Sequence, residues 1–449
     1  MTVARASQHD APMQRGCWSW LWCVPLLAAT AAEYKLHTFE KRILTREFWA
    51  EGAHVADFNR DGHLDVVCGP YWYAGPNFEK RFAFAPATNQ FTRTRPDGST
   101  ETIPGFEGAL GTQNAYADVF LTFTWDFNGD GWPDVLHMPH PGLEAWWFEN
   151  PRGENRLWNR HLAYDNVEGE SPALADLTGD GRPEILCFSR GHLGYVEVNW
   201  QQPSQPWTFV PVSPKGDWGR YTHGLGYGDI NGDGRVDLVE KDGWWEQPAS
   251  LEGRPLWRRH PASFGRGGAQ MLVFDVNGDG LNDVITSLHA HEYGLAWFEQ
   301  VRANGRIEFR EHRITGERPA DNPYGVKFSQ AHALAAVDLD RDGLMDFVTG
   351  KRFWAHGPTG DPEPNAPAVL YWFRLIRPPN ATPYFEPHLL DDDSGVGTQV
   401  TVTDVNRDGW PDIVVGNKKG AFVFWQRVRT VSEAEWKAAQ PRRIQTADR

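Results

Sequence analysis

One acidic nonapeptide, Asp-x-Asn-x-Asp-Gly-x-x-Asp, recurs seven times in this 449-residue chain, so any fold must treat seven segments as equivalents. The copies open at Asp57, Asp126, Asp176, Asp229, Asp275, Asp338 and Asp404. Two depart slightly: the third reads DLTGDGRPE, and the sixth, DLDRDGLMD, has Asp340 in place of the asparagine. Successive copies begin 69, 50, 53, 46, 63 and 66 residues apart, lengths that suit one four-stranded unit per copy.

Oxygen atoms at positions one, three and five of such a loop converge on one side. The glycine at six permits the sharp turn, and a carboxylate at nine closes the shell. Calcium, which takes six to eight oxygen ligands in flexible geometry, suits this donor set. The expected ligands for up to seven calcium ions are Asp57, Asn59, Asp61 and Asp65; Asp126, Asn128, Asp130 and Asp134; Asp176, Thr178, Asp180 and Glu184; Asp229, Asn231, Asp233 and Asp237; Asp275, Asn277, Asp279 and Asp283; Asp338, Asp340, Asp342 and Asp346; and Asp404, Asn406, Asp408 and Asp412. An acidic turn that uses no metal is the alternative. An EF-hand opens with the same triplet, but no copy here is flanked by helical periodicity, and the closing acid stands at nine rather than twelve. The formal charge of −15 is therefore largely ligand charge and makes no case for a basic partner.

A short β-branched run comes directly after each loop: DVVCG, DVLHM, EILCF, DLVEK, DVITS, DFVTG and DIVVG. These read as strands. A strand also precedes each loop, as in HVADF or AHALAAVD, and an aromatic third strand comes later, as in EAWWFENP, GWWEQP, LAWFEQ, LYWFR and FVFWQ. A fourth carries an aromatic residue and then His161, His260, His312 or His388 three positions on. The segment YKLHTF (34–39), with His37, fits this fourth-strand pattern but has no unit before it, while the last unit lacks a fourth strand. The N-terminal strand can therefore complete the last unit. The expected fold is all-β, a seven-bladed β-propeller of four-stranded blades closed by that strand, which leaves no open edge.

The loops, their β context and the aromatic third strand resemble FG-GAP/VCBS repeats, the family that includes the integrin α-subunit propeller, over about residues 45–427. The resemblance implies metal binding at the matching loop positions. Nothing after the repeats resembles an integrin leg, so the adhesion role does not transfer. Many proteins with such repeats are exported by bacteria.

Residues 1–32 read as an export signal: Arg5 and Arg15 precede an apolar stretch, and Ala28 to Ala32 offer small residues for cleavage. A retained anchor is the alternative. The expected location is periplasmic or extracellular, with no membrane contact once the signal is removed. Cleavage would leave Cys68 and Cys187, in equivalent strands of non-adjacent units, as buried apolar groups rather than a disulfide. The propeller spans 33–427. Residues 428–449 hold a short helix with a capping box at Ser432 and Glu435, then a basic tail expected to be unstructured.

Strand direction places the starts of first strands and the ends of second strands on the face opposite the acidic loops. Six residues before the loops stand Glu51, Phe120, Glu170, His223, Ala269, His332 and Thr398; Gln270 and Gln399 lie one residue further on in their units. The ends of the second strands add His289, His291, Lys351, Arg352 and His356. His37, His161, His260, His312 and His388 share one register and read as structural, whereas His223, His289, His291, His332 and His356 share none and are the functional candidates. His289 and His291, placed i and i+2 on a strand, could hold an additional divalent metal, with His332 or His356 as a third ligand.

Two functions fit. The first is a non-catalytic module binding a carbohydrate or another small polar or anionic ligand, or a protein, on this face. The second is a sugar-directed lyase or dehydratase working by β-elimination. In it His223 or His332 is the base, Lys351 and Arg352 hold the anion, and Gln270 and Gln399 orient hydroxyls. Trp49 and Trp354 stand outside the core aromatic registers and are the candidates for sugar stacking. Nucleic acid is not expected, since no element carries a continuous basic stripe.

Overall fold

The computed structural model describes residues 33–87, 89–106 and 115–444, so the expected leader at 1–32 and the last part of the tail, 445–449, lie outside the described residues. The fold is mostly β and curls in a propeller-like manner. Each acidic loop joins two antiparallel strands, the first pair being His54–Ala56 with Asp65–Cys68 and the last Val400–Thr403 with Asp412–Asn417. The strand after the loop is buried along its whole length in every unit, DVLHMP and DIVVGN included. It is covered on both faces, which explains its continuous apolar run in place of alternation.

Third and fourth strands add outward, as in the order Leu334–Val337, Asp346–Gly350, Leu370–Ile376, Tyr384–Asp391. Neighbouring units merge where strands are shared. Asn159–Ala175 pairs with Leu143–Glu149 through its first half and with Glu184–Ser189 through its second. A parallel bridge from Leu225 to Gln270 joins two first strands. A hairpin of Gln90–Thr94 and Thr100–Pro104, which the sequence pattern does not announce, accounts for the longest interval between loops. The N-terminal strand is longer than its pattern suggested. Tyr34–Thr45 pairs antiparallel with Gly420–Val431, from Tyr34 opposite Val431 to Thr45 opposite Ala421. Close by, Thr398 N donates to Glu51 O at 2.8 Å and Thr401 Oγ1 to Ala53 O at 2.6 Å, joining the last unit to the first.

A second set of ties repeats around the fold. In the third strand, or one residue past its end, an amide side chain reaches back to the preceding unit's acidic loop. Asn150 donates to Phe58 O, Gln247 to Leu177 O, Gln300 to Ile230 O and Gln426 to Leu339 O, all within 2.8–3.0 Å. Where the third strand has Leu375 instead, the Arg377 guanidinium takes over and donates to Val276 O at 2.8 Å. Gln300 is fully buried and also donates to Asn282 O. Gln300→Leu keeps the volume and removes both bonds. It is expected to cost roughly 2–4 kcal/mol in urea unfolding; a change below about 0.5 kcal/mol would show the tie to be incidental.

The fourth-strand histidines are structural, as their shared register implied. His161, His260, His312 and His388 stack on Trp147, Trp244, Trp297 and Trp372 at 4.0–4.5 Å. Each contacts a glutamate: Glu149, Glu246, Glu299 or Glu386. Cys68 and Cys187 are free and buried. Helix Glu433–Ala439 starts at Ser432, whose hydroxyl accepts from Glu435 N, and Trp436 packs on Tyr34. The start of the tail is not loose: Ile444 N donates to Pro323 O, and the Arg443 guanidinium lies over Tyr324 and Tyr384. No helix among the described residues is long and apolar enough to cross a membrane.

Candidate functional site

Every acidic loop is built alike. The position-one carboxylate accepts the N–H groups of the turn, as Asp57 does from Asp61 and Gly62. The position-nine carboxylate is buried and accepts the N–H of position two, at 2.8 Å for Phe58 to Asp65 and 2.9 Å for Ile230 to Asp237. Its second oxygen takes an N–H from the third strand or the turn beyond it in six loops, as Gln247 N does to Asp237. In the third loop the longer Glu184 takes the Thr178 hydroxyl instead. Burial, reinforced by the acids at positions one and five, pushes Asp65, Asp237 and Asp283 up to about 7 and Asp134 to about 8. A carboxylate in that setting needs a proton or a cation, and the oxygen-only donor set fits a hard cation. In the sixth loop Arg374 contacts both Asp340 and Asp342. It stands where other units carry Glu149, Glu246 or Glu299, so the extra acid at Asp340 is offset by a guanidinium that those units lack.

At the opposite end of the first strands, several of the residues six before the loops come together. Glu51 is fully buried and Glu170 nearly so. The Arg352 guanidinium lies between them: Nε and an Nη contact the two Glu51 oxygens at 3.1 Å each, and the other Nη reaches Glu170 Oε2 at 3.4 Å. Beside Glu170 stand His223, with Nε2 at 3.4 Å, and His332, with Nε2 at 3.8 Å. His291 stacks edge-on to both rings, at 5.0 Å from His223 and 4.5 Å from His332. One nitrogen from each of these three histidines lies within 4.8 Å of the others. The set can coordinate a divalent metal.

Burial acts against charge here, and specific partners decide each outcome. Burial raises the Glu170 carboxyl, but contact with His223 and the charge of Arg352 overcome it and bring it down to about 2. Burial, then the charge of Arg352, holds His332 well below the usual imidazole range, so its ring is neutral. His332 Nδ1 lies 3.3 Å from Gln330 O, and a carbonyl only accepts, so Nδ1 carries the proton and Nε2 the lone pair. Gln330 is itself a buried non-glycine residue at φ 65°, a strained conformation held by its side-chain bond from Ala355 N.

A second group adjoins the first. His356 stacks on His291 at 4.2 Å, and Asp361 Oδ1 lies 2.8 Å from His356 Nδ1 and 3.4 Å from His291 Nδ1. Burial raises Asp361, yet its two imidazole contacts outweigh that and hold it below the usual carboxylate range. The His356 side chain is 47% exposed, so the imidazole faces solvent while the Asp361 carboxylate is covered.

The structure brings His223, His291, His332 and His356 together but redistributes other expectations. His289 and His291 do not share a strand, because Asp283–Ser287 ends before them. His289 Nδ1 instead accepts from the His291 and Glu292 N–H groups, so His223 replaces it in the cluster. Gln270 and Gln399 are spent on backbone: Gln270 bridges Thr398 O and Leu334 N, and Gln399 clamps both Thr122 backbone groups. Lys351 and Arg352 are buried rather than open to an anion, with Lys351 donating to Ser329 Oγ. Trp49 and Trp354 are buried too, their indole N–H groups bonded to Glu47 and Asn365. Asp361 and the glutamates Glu51 and Glu170 complete the site. The two glutamates share the register of His223 and His332 in the sequence, whereas Asp361 lies in an irregular connection that gives no directional signal. A cavity of about 860 Å³ lies elsewhere, lined by Trp49, His137, Trp146, Trp158 and Arg160 among others.

Solved structures align with most of the chain at low identity. A lectin from Agrocybe aegerita, described as recognising non-reducing terminal N-acetylglucosamine, is 15% identical with a TM-score of 0.43, covering 89% of this chain and 86% of that one. The rhamnogalacturonan lyase of Bacillus licheniformis is 13% identical with a TM-score of 0.37, covering 87% and 72%. The biofilm matrix protein Bap1 of V. cholerae is 10% identical with a TM-score of 0.37, covering 89% of each chain. No curated protein matches the sequence. The FG-GAP-like repeat model matches residues 126–187, 176–240 and 275–349, and the FG-GAP repeat model matches 396–422. The acidic loops and the strands around them thus make this a β-rich, propeller-like protein that bears FG-GAP repeats.

Proposed function

We propose that the protein is an exported seven-bladed β-propeller, tied by calcium at its acidic loops, that acts on a carbohydrate as a carbon–oxygen lyase or dehydratase at the axial histidine site. The leader-like sequence supports export, and the strand ladders, read unit by unit, support seven blades of four. Coordinating oxygens at Asp57, Asn59, Asp61 and Asp65, and at their equivalents, would hold calcium and supply the counter-charge that the buried acids need.

The observation that carries the catalytic reading is the His356–Asp361 pair, with an exposed imidazole on a covered carboxylate, seated against His291. Asp361 accepts from Nδ1, which leaves the His356 Nε2 lone pair available as a general base. Nε2 takes the proton from the carbon beside a uronate carboxylate or a ketone. The electron pair forms the new carbon–carbon double bond, the neighbouring carbon–oxygen bond breaks, and the leaving oxygen takes up a proton. His332, fully buried, is out of reach of a substrate and serves the site from beneath, while His223 and His291 line its floor. A purely binding surface has no need of an oriented base, which is why the catalytic reading is preferred to ligand binding alone.

Uronate-containing oligosaccharides are expected to yield an unsaturated product visible by ultraviolet absorbance. His356→Ala should lower kcat by about 100-fold or more, with KM changed far less. Binding of such oligosaccharides without any unsaturated product would return the protein to the binding-module reading.

A further inference from the structure

The proposed reaction needs positive charge beside the substrate carboxylate, and the guanidinium nearest the histidines is already committed. Arg352 is neutralised by Glu51 and Glu170, and Lys418 is buried with its Nζ 4.0 Å from Glu51 Oε1. We infer that His223, His291, His332 and Glu170 bind one divalent first-row transition metal at the axial end of the fold. This rests on the reading above and deepens it by assigning the same site a cofactor.

The geometry is of the right size. A tetrahedral site with bonds of about 2.0–2.1 Å sets its ligand atoms about 3.4 Å apart. Glu170 Oε2 lies 3.4 Å from His223 Nε2 and 3.8 Å from His332 Nε2, and the three histidines each offer a nitrogen within 4.8 Å of the other two. Their other contacts are loose: His223 and His332 face Glu170, and His291 Nδ1 lies 3.4 Å from Asp361 Oδ1. His223 Nε2, His332 Nε2 and His291 Nδ1 are all buried without a hydrogen-bond partner. His332 is only 2% exposed, and its Nδ1 contact with Gln330 O directs the bare Nε2 lone pair into the cluster. Each unsatisfied buried acceptor forfeits its hydration, so clustering several at one point is unfavourable unless something fills it. A metal ion satisfies all four at once.

The surroundings supply the outer support that such ligands require. Arg352 contacts the same Glu170 oxygen that faces His223 and His332 and fixes its position, and the Gln330 carbonyl orients His332. Imidazole nitrogen selects transition metals over calcium, whereas the oxygen-only loops on the far face select calcium. A divalent ion on one carboxylate leaves a net positive charge, open to solvent on the His291 and His356 side.

That chemical difference makes the site testable in the full-length protein. The protein is treated with 1,10-phenanthroline in excess calcium, dialysed, and titrated with cobalt(II). One equivalent should bind with visible ligand-field absorption and be displaced by one equivalent of zinc. His223→Ala and His332→Ala should each weaken binding by about 100-fold, while His289→Ala and His356→Ala should leave the spectrum in place. Absence of the absorption from the unsubstituted protein would overturn the inference and needs no variant to fold. So would its persistence in both His223→Ala and His332→Ala, or its loss in His356→Ala alone, which would put the ion on His291, His356 and Asp361. Metal binding with no unsaturated product from any uronate would keep this site and reject the lyase. Turnover unchanged in protein stripped of the metal would keep the lyase and reject the metal as its cofactor.

Discussion

Removing calcium with EGTA should lower the melting temperature of the protein by roughly 10–20 °C, and added calcium should restore it. The expectation rests on the position-nine acids. Asp65, Asp134, Asp237, Asp283, Asp346 and Asp412 are each buried, and burial raises all six, to between about 6 and about 8. Each stands beside further carboxylates that a cation would neutralise. A loop whose dissociation constant lies a hundredfold below the calcium concentration gains about 2.7 kcal/mol from binding. Four such loops would gain about 10 kcal/mol, comparable to the whole stability of a typical domain. At about 1–2 °C per kcal/mol for a chain of this length, that gives the stated shift. Sodium chloride at equal ionic strength should not substitute, because screening does not fill a coordination shell. A melting temperature unchanged by EGTA would remove calcium from the loops. The sixth loop sharpens the test, since Arg374 already contacts Asp340 and Asp342. Arg374→Ala leaves that loop with four uncompensated acids and should make its stability more dependent on calcium.

The loops, the burial of the strands after them and the closing role of the N-terminal strand were legible because each repeats or visibly lacks a partner. Register also carried part of the site. Placing Glu51, Glu170, His223 and His332 six residues before their loops predicted a common end of the fold, and the structure gathers all four. Repetition could not reveal how the remaining polar groups are spent. Gln270 and Gln399 sit in the expected register, but their amides match neighbouring backbone groups, a fit set by the spacing of the units. Arg352, Trp354, His356 and Asp361 lie in an irregular connection between Asp346–Gly350 and Leu370–Ile376, where no period fixes direction. Hence a guanidinium that read as an exposed anion clamp is internal, and a histidine without a register is the one that faces solvent beside an acid.

Replacing that internal guanidinium should have the largest effect of any single substitution at the site. Arg352→Met is expected to cost about 3–5 kcal/mol in urea unfolding, the range for breaking a buried ion pair on one side. The methylene stem is retained, so the loss isolates charge. Glu51 is fully buried, and without Arg352 its nearest cation is Lys418 Nζ at 4.0 Å. Arg352→Lys should recover little, because Glu51 is met by two nitrogens of one planar fork, each at 3.1 Å, which an ammonium cannot reproduce. Glu51→Gln combined with Arg352→Met should be more stable than Arg352→Met alone, since the orphaned charge is then gone. If the double variant is no better, the cost lies in packing against Phe120, whose ring the guanidinium covers at 5.2 Å, and not in charge. The distinction bears on architecture as well as on chemistry. Arg352 enters from the sixth unit, Glu51 from the first and Glu170 from the third, so the ion cluster joins units far apart in the sequence. Surface ion pairs between neighbouring side chains would contribute far less. A cluster placed here both fastens distant units and fixes the carboxylate on which His223 and His332 converge.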